Sequence, residues 1–373
     1  MKKIIIVGNS LFSLRSFRGP LLLELNSRSK LICVAPDRDP SVEGWLASKG
    51  IQFCQVPFTR SGMNPLAALV LTLQLWRLFR RERPSHVLSY TLKPVLFGSV
   101  AARLAGVPHV SAMLSGLGFL FTGDRARSFV SRLTAWGLRS QLRKIQNVFF
   151  QNPDDKMEFS SLGIIDERNT VVVLDGSGVP LDAFPKQDLP QGAPVFLMVA
   201  RFLRDKGFVE FCEAANELRS RWPETRFAVL GTPDLDNPAG LSLVECEDLL
   251  AKGGVENWGW SENVREQLAR CHVFVLPSYR EGTPRSALEA MSTGRALVVS
   301  DVPGCREVLR EGLNGFFCQA RDAASLAHAM EFFLKDPSLI SQMGAQSRVY
   351  AEERFDVRKV NAMIIKSLEI ESR

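Results

Sequence analysis

Short apolar runs alternate with longer amphipathic segments along the whole chain, and this alternation constrains the fold more than any other feature. Runs such as Ile4-Ile5-Ile6-Val7 and Val273–Leu276 are apolar throughout, as expected of parallel strands that are covered on both faces. The segments between them have helical period. The pattern predicts an α/β fold with strands at 3–7, 31–35, 52–56, 86–90, 108–113, 147–151, 171–174, 195–200, 226–230, 255–259, 273–276, 296–300 and 315–318.

The chain has 373 residues, which is enough for two domains with full cores. Residues 185–194 contain three prolines and one glycine and are predicted to link the domains. The predicted domains are residues 1–185 and 186–355. Two Rossmann-like domains joined at this point would face each other across a cleft between the carboxyl ends of their sheets.

Cysteine and histidine usage argues against disulfides and metal sites. The seven cysteines form no Cys-x-x-Cys pair, and the first apolar run is cut short at Gly8, too early for a secretory signal. Free thiols in a reducing cytosol are therefore expected. The four histidines stand far apart in the sequence, so no metal site is predicted.

Positive charge is concentrated in the first half. Residues 1–185 contain 23 Lys and Arg against 13 Asp and Glu, whereas residues 186–373 contain 23 against 27. An anionic partner is therefore expected for the first half. The basic residues lie among Leu, Phe and Trp and match no nucleic-acid-binding motif, so a membrane surface fits better than nucleic acid.

Two segments of the first half could contact lipid. Residues 65–79 are apolar and run into basic residues, but they are too short to span a bilayer, and a core helix with a basic last turn is the favoured interpretation. Residues 119–146 interleave six Lys and Arg with Phe, Leu and Trp. For this second segment, docking onto an anionic membrane is favoured over packing against its own domain.

The candidate catalytic and binding residues of the second half follow the ends of two predicted strands. After Val273–Leu276, Glu281 and Glu289 are separated by seven residues and flank a Gly282-Thr283-Pro284 turn, with Pro284 starting a helix. Ligands of open α/β sheets bind at this edge. A polyhydroxylated phosphate ester such as a nucleotide sugar suits such a site. The alternative is an ordinary helix whose glutamates favour its dipole.

Arg201 and Lys206 follow the strand at 195–200 and precede a helix that is predicted to begin near Phe208. Together with that helix N-terminus they suit a diphosphate. The alternative is solvated surface charge.

The glutamate motif resembles the E-x7-E signature of the retaining family 4 glycosyltransferases, which have the GT-B fold. The resemblance extends to Arg201-x4-Lys206-Gly207, Ser300–Gly304, Arg306–Val308 and Gly312–Gly315. It therefore covers the C-terminal half of the chain in the family's order. It also implies that residues from about 356 return to the first domain.

The resemblance implies roles for these residues. Arg201 and Lys206 would neutralise the departing nucleoside diphosphate, so that no metal ion and no other cofactor is needed. Glu281 would hold the sugar near its anomeric carbon and Glu289 would bind the ribose. The remaining donor-side residues would be Gly8, Trp260, Gly282, Thr283 and Pro284. For Trp260, as for its neighbour Trp258, the alternative is a place in the core.

In the first half, the resemblance points to the branch that acts on polyprenyl-diphosphate-linked acceptors. The segments that carry it surround the expected acceptor-binding residues, which are Ser10, Arg18, Lys93, Ser115 and Gly116. For Arg18 and Lys93 the alternative is ordinary loop charge. Many members place a histidine where Ser115 stands here. His109 is several residues early and is expected to be structural, so the general base stays open.

The resemblance implies a retaining, metal-independent transferase that moves a sugar, favoured to be an N-acetylhexosamine, from a UDP-sugar to a polyprenyl-diphosphate-linked glycan. Such an enzyme would assemble a surface polysaccharide or a glycoprotein glycan. It would be cytoplasmic and peripheral to the inner face of the cell membrane. The alternatives are a non-catalytic scaffold that binds sugar nucleotide or lipid carrier, and a UDP-sugar epimerase or hydrolase on the same fold.

Overall fold

The computed structural model describes residues 2–59, 64–115, 129–235, 237 and 239–370, and of residues 129–133 the backbone alone. It divides into two compact units. The first comprises the chain up to Ser177 together with the residues from Arg358 on, and the second comprises Gly178–Val357.

Among the described residues, the first unit has seven parallel strands in the order β3-β2-β1-β4-β5-β6-β7. Their apolar residues are buried by helices on both faces. The strands are Lys3–Val7 (β1), Lys30–Ala35 (β2), Gln52–Gln55 (β3), His86–Tyr90 (β4), His109–Leu114 (β5), Asn147–Phe150 (β6) and Thr170–Val173 (β7). The helices are Leu11–Arg28 (α1), Pro40–Ser48 (α2), Pro65–Glu82 (α3), Ser99–Leu104 (α4), Phe129–Leu142 (α5) and Pro153–Ser161 (α6), with a π-helical turn at Pro94–Gly98.

The second unit repeats this plan, and its described residues form six parallel strands in the order β10-β9-β8-β11-β12-β13. The strands are Val195–Val199 (β8), Arg226–Leu230 (β9), Glu256–Asn257 (β10), Val273–Leu276 (β11), Ala296–Ser300 (β12) and Gly315–Cys318 (β13). The helices are Phe208–Arg221 (α7), Leu243–Gly253 (α8), Val264–Ala269 (α9), Arg285–Thr293 (α10), Ala323–Lys335 (α11) and Ser338–Arg354 (α12), and Val357–Ser367 (α13) follows them.

These sheets match the α/β prediction, and each sequence-predicted strand has a counterpart. Most boundaries agree within one residue, but β10 is shorter than the predicted 255–259. The predicted pairing of parallel strands is confirmed throughout both sheets. In both sheets the strand order reverses beside the first strand, at β1/β4 and at β8/β11.

The boundary between the units lies at Ser177 and not after residue 185, so the predicted linker at 185–194 belongs to the second unit. The reason is that its carbonyl groups are held by arginines of that unit. The buried Arg295 donates to the carbonyl oxygens of Gln187 and Asp188, at 3.3 and 3.0 Å. Just before this segment, Arg348 donates to the carbonyl oxygen of Phe184 at 2.9 Å. The segment with three prolines is therefore fixed to the second unit by hydrogen bonds and is not a free linker between the units.

The last helix completes the core of the first unit. Val360, Ile364 and Leu368 are buried in one cluster with Ile4 and Ile6 of β1. Asn147, at the start of β6, also donates a 2.8 Å hydrogen bond to the carbonyl oxygen of Ser367. The first unit is therefore assembled from both ends of the described chain.

Helix α3 corrects one sequence prediction. Its Leu71, Leu75, Leu78 and Phe79 are buried, as a core helix requires. The opposite face is exposed and also apolar, at Leu66, Leu69, Val70 and Leu73. The core-helix interpretation of residues 65–83 is therefore right for one face only. Among the described helices, none has both the length and the apolar character needed to cross a membrane.

Candidate active site

The predicted diphosphate-binding and catalytic residues of the second unit lie where the strand order reverses. Strands β8 and β11 are neighbours, so the loops at their carboxyl ends meet. Arg201 and Lys206 follow β8, and Glu281 follows β11. Helix α7 begins at Phe208, as predicted, directly after the Arg204–Lys206 turn. In doubly wound sheets, a crevice at such a reversal is the usual ligand site.

Lys206 and Glu281 form an ion pair at this point. The Lys206 Nζ to Glu281 Oε1 distance is 2.5 Å, and the two side chains are 23% and 13% exposed. Ser278 Oγ donates to the same carboxylate oxygen at 2.7 Å. The pair fixes both side chains where the strand order reverses and brings together two residues that are 75 positions apart.

Two glycines let these loops approach closely. Gly207 has φ +75°, and a Cβ atom there would lie 2.1 Å from the carbonyl oxygen of Pro277. Gly304 has φ +80°, and a Cβ atom there would lie 2.3 Å from the carbonyl oxygen of Glu281. A side chain is excluded at both positions by the neighbouring backbone as well as by φ. The loop that carries Lys206 and the loop that carries Glu281 are thus packed backbone to backbone.

Arg201 is held differently. Its guanidinium is 57% exposed and forms an ion pair with the carboxylate of Asp234. Asp234 lies in the loop after β9, the strand that neighbours β8. Arg201 is therefore accessible to a ligand anion, which would compete with Asp234 for it.

Glu289 lies on α10, which starts after Pro284 as predicted. Its carboxylate accepts a 2.8 Å hydrogen bond from Arg285 Nε, and the two side chains are 15% and 12% exposed. Burial raises the pKa of Glu289, and Arg285 opposes that rise. Arg285 also donates to the carbonyl oxygen of Gly178 at 2.7 Å, which fixes the pair at the N-terminal turn of the helix.

The turn between the two glutamates is tight and little exposed. Thr283 is buried, and its hydroxyl donates to the carbonyl oxygen of Gly282 at 2.9 Å. The backbone N–H of Glu281 donates to the carbonyl oxygen of Pro303 at 3.1 Å. These contacts hold the turn against the loop that follows β12.

The two tryptophans after β10 have different environments. Trp258 donates to Glu256 at 3.0 Å, and Arg270 lies over its ring at 4.0 Å. Trp260 is 60% exposed. Trp258 therefore serves the packing of its own unit, and Trp260 is the one that a ligand can reach.

Several site residues were missed by sequence reasoning. Ser278, Asp234 and Arg285 each contact a predicted residue, but Ser278 and Asp234 had no detectable signal, because a lone Ser or Asp in a loop is ordinary. Arg285 could have been found, since it precedes Glu289 by four positions on one helix. Tyr279 was also missed, and it donates to Glu210 at 2.5 Å beneath Arg321.

In the first unit, Gly8 and Ser10 follow β1. A Cβ atom at Gly8 would lie 2.7 Å from Leu14 Cγ, so glycine is needed for α1 to pack there. Ser10 caps α1 and donates to Asp37 Oδ2 at 3.1 Å, while Asp37 Oδ1 accepts from the N–H of Leu11 at 2.9 Å. This helix N-terminus thus already has a carboxylate beside it.

Arg18 and Lys93 lie near the same sheet edge. Arg18 is 2% exposed, and its guanidinium stacks on Tyr90, at the end of β4, with 5.1 Å from Cζ to the ring centroid. Lys93 Nζ donates to the carbonyl oxygen of Thr59 at 2.6 Å, and burial lowers its pKa. Between them, Thr91 has φ +76°, an outlier for a β-branched residue.

Ser115 follows β5 directly and is partly buried, whereas Gly116 lies outside the described residues. His109 is at the other end of β5, where its ring stacks on that of His86 at 4.4 Å. The pKa of His86 is lowered to about 4 by burial and by His109. The structural role expected for His109 agrees with this stacking, but the two histidines are not isolated. Among the described residues, no group of three or more His, Cys, Asp or Glu could hold a metal ion.

Comparison with known families decides what this architecture belongs to. Residues 181–350 match the family model described as glycosyl transferases group 1, and residues 24–176 match the glycosyl transferase 4-like domain. The chain is a glycosyltransferase. The first match includes Arg201, Lys206, Glu281 and Glu289.

Two curated relatives of this glycosyltransferase are similar over most of its length. A Campylobacter jejuni N,N'-diacetylbacillosaminyl-diphospho-undecaprenol alpha-1,3-N-acetylgalactosaminyltransferase is 28% identical over 91% of this chain and 92% of its own. An Escherichia coli UDP-Gal:alpha-D-GlcNAc-diphosphoundecaprenol alpha-1,3-galactosyltransferase is 28% identical over 69% of this chain and 68% of its own.

Solved structures confirm the GT-B fold of the glycosyltransferase. Anabaena HepE, solved in complex with UDP and glucose, superimposes with a TM-score of 0.79 at 16% identity, over 99% of this chain and 100% of its own. Sucrose-phosphate synthase from Thermosynechococcus elongatus gives a TM-score of 0.79 at 16% identity, over 98% of both chains.

Proposed function

We propose that this glycosyltransferase is a retaining, metal-independent enzyme that moves an N-acetylhexosamine from a UDP-sugar to a polyprenyl-diphosphate-linked glycan. The observation that carries the proposal is the ion pair between Lys206 and Glu281 beside Arg201, at the reversal of strand order. Cations and a carboxylate that lie at one edge of a sheet suit a diphosphate joined to a sugar.

In this proposal the donor diphosphate is held by Arg201, Lys206 and the N-terminus of α7. Arg201 leaves Asp234 for a phosphate oxygen, and Lys206 shares its three donors between the phosphate and Glu281. As the bond between the anomeric carbon and the phosphate oxygen breaks, negative charge grows on the departing UDP. The two fixed cations stabilise that charge in the place of a metal ion.

Glu289 and Glu281 have different environments, which supports different roles. Glu289 is desolvated and oriented by Arg285, so its ionised carboxylate gains most from the ribose hydroxyl donors of a bound nucleotide. Glu281 lies with Lys206 and accepts from Ser278, next to the place where the sugar would join the phosphate. The exposed Trp260 is the candidate to stack on uracil, and Gly282, Thr283 and Pro284 form the turn beneath the sugar.

Retention requires the acceptor hydroxyl to attack from the face that the UDP leaves. We infer that the leaving phosphate takes the proton of that hydroxyl. His109 is no candidate for this role, because it lies at the amino end of β5, and ligands of such sheets bind at the carboxyl ends of the strands. Both curated relatives are named as alpha-1,3-transferases, and an alpha product from the alpha linkage of UDP-galactose is retention.

The acceptor class is proposed from those relatives, whose names specify undecaprenyl-diphosphate-linked sugars. Arg18 and Lys93 are the candidate cations for the acceptor diphosphate, and Ser10, Ser115 and Gly116 are the other residues proposed to bind the acceptor. Such an acceptor is anchored in lipid, so the enzyme is proposed to work peripherally at the inner face of the cell membrane.

Residues 119–146 are also proposed to contact anionic lipid. Residues 119–128 and the side chains of 129–133 lie outside the described residues. In the described part of α5, Trp136 is 69% exposed, while Leu138 and Leu142 are buried. Arg143 Nε lies 3.3 Å from Asp166 Oδ2, so this one of the six basic residues already forms an ion pair within the first unit.

Donor screening tests the proposal. The enzyme is incubated with UDP-sugars and membrane lipid extract, with and without a metal chelator, and products are identified by mass spectrometry. Transfer from a UDP-N-acetylhexosamine to a polyprenyl-diphosphate glycan, unchanged by the chelator, is the expected result. Release of free sugar or epimerised UDP-sugar without transfer would contradict it.

A further inference from the structure

The exposed face of α3 is apolar in its first half. Leu66, Leu69, Val70 and Leu73 are 74%, 57%, 51% and 41% exposed. They recur at helical spacing on one side, opposite the buried Leu71, Leu75, Leu78 and Phe79. A surface helix of a globular domain normally places polar side chains there, so this stripe is built to be covered.

The same face is basic in its second half. Arg77, Arg80 and Arg81 continue the line from Val70 and Leu73, and all three are exposed. The one acidic residue of the helix is Glu82, which is already bound by Lys3 at 3.0 Å and by Arg81 at 2.9 Å. The exposed face therefore combines an apolar part with a cationic part, and this combination complements an anionic lipid surface more closely than another protein.

The apolar end of α3 lies on the ligand side of the sheet. The helix is capped by Asn64, after the carboxyl end of β3, and its last turn reaches Lys3 at the amino end of β1. The chain ahead of the helix is tied to the candidate acceptor site, because Lys93 donates to the carbonyl oxygen of Thr59 at 2.6 Å. The stripe and Lys93 are thus at the same edge of the first unit.

We propose that the exposed face of α3 docks the first unit onto an anionic membrane, with Leu66, Leu69, Val70 and Leu73 in the apolar layer and Arg77, Arg80 and Arg81 among the headgroups. The proposal deepens the proposed function, since it places the candidate cation for a lipid-linked diphosphate next to the lipid surface. It is separate from the contact through residues 119–146.

Vesicle sedimentation tests this surface with the full chain. The variant Leu66→Gln/Val70→Gln/Leu73→Gln removes the apolar stripe at exposed positions, so its melting temperature should equal that of the wild type. Its affinity for vesicles of phosphatidylglycerol and phosphatidylethanolamine should fall by at least about tenfold. The control Leu162→Gln/Leu243→Gln/Val244→Gln changes three leucine or valine residues that are 46%, 54% and 75% exposed elsewhere, and it should bind like the wild type.

A second variant, Arg77→Gln/Arg80→Gln, should retain weak binding but lose most of its dependence on salt. Undiminished vesicle binding by the stripe variant would overturn the proposal. A wild-type dimer that the same variant converts to a monomer would also overturn it, because the stripe would then be an interface between two copies. Sedimentation equilibrium without vesicles distinguishes these cases.

Activity separates this inference from the proposed function. The stripe variant should transfer sugar to a short-chain, water-soluble diphosphate acceptor at the wild-type rate, and more slowly to an undecaprenyl acceptor in vesicles. If the wild type transfers to neither acceptor while the stripe variant still loses vesicle binding, the acceptor class is wrong and the docking surface stands. Equal transfer to the vesicle acceptor by both proteins would contradict the docking surface.

Discussion

Lys206→Ala should separate donor binding from folding. Its ammonium is expected to contact the donor diphosphate, and a charge-assisted hydrogen bond of this kind contributes roughly 1.5–3 kcal/mol. At about 1.4 kcal/mol for each factor of ten, UDP affinity should fall by roughly 10- to 150-fold. Turnover should fall as well, because the lost charge also stabilises the departing diphosphate.

The same change removes the ion-pair partner of Glu281, whose side chain is 13% exposed in the intact pair and which would keep the hydrogen bond from Ser278. Exposed ion pairs contribute about 0–1 kcal/mol, and breaking a buried one costs about 3–5 kcal/mol. This pair is intermediate, so a loss of about 1–2 kcal/mol is expected. For a unit of the size of Gly178–Val357, that loss lowers the melting temperature by roughly 2–8 °C.

Calorimetric titration with UDP and thermal melting measure the two effects. Arg201→Ala should weaken UDP binding comparably but leave the melting temperature nearly unchanged, because Arg201 is 57% exposed. Arg204→Ala is the matched control, since Arg204 lies on the same turn but pairs with Glu245 at 2.7 Å. Wild-type UDP affinity in Lys206→Ala, or an equal loss in Arg204→Ala, would refute the assignment of the diphosphate site.

Four further outcomes are expected. Glu281→Gln should mainly lower kcat and Glu289→Gln mainly raise the donor KM, so a Glu281→Gln enzyme with wild-type kcat contradicts the catalytic role. Burial raises the pKa of Glu289 in the folded state above its unfolded value of about 4.3. The protonated side chain therefore stabilises the fold fully below about pH 4.3, and this contribution is lost as pH rises through the raised pKa. Over that same window UDP affinity should rise in the wild type and stay flat in Glu289→Gln; parallel profiles would be evidence against ribose binding by this residue. Arg139→Gln/Arg143→Gln should weaken binding to anionic vesicles, and indifference to both changes would assign α5 to packing within its own unit. Gly207→Ala should abolish UDP binding, because even a methyl group would collide with Pro277, and normal UDP affinity would contradict that packing.

The strands of both sheets could be predicted because a parallel strand that is buried on both faces is apolar at nearly every position. Its sequence therefore stands out without any need to decide which face is covered. Val273–Leu276 and Ala296–Ser300 are fully buried and agree with the prediction at both ends. β10 could not be placed as well, because it has two residues at the sheet edge and neither is apolar. The predicted linker was wrong for a related reason. Proline marks irregular backbone, but only long-range contacts such as those of Arg295 decide which unit the irregular segment belongs to.

The candidate site was predicted where residue types and spacing carry the chemistry. Arg201, Lys206 and Glu281 do converge at one strand reversal, but their fixed partners, Asp234 and Ser278, come from loops whose sequences are unremarkable. The apolar stripe of α3 was hidden for a different reason. When both faces of a helix are apolar, its period does not show which face is covered, and only the exposures of Leu66 and Leu71 distinguish the faces.

The return of the chain to the first unit has a consequence for synthesis on the ribosome. Val360, Ile364 and Leu368 share one buried cluster with Ile4 and Ile6, so β1 lacks its full cover until the last helix has emerged. Residues 178–357 are contiguous and can fold as soon as they leave the exit tunnel. At about 5–20 residues per second, the first unit waits roughly 10–40 seconds after its own strands are made. The half of the molecule that is translated first is therefore completed last, and during that interval the apolar surface that α13 later covers stays exposed.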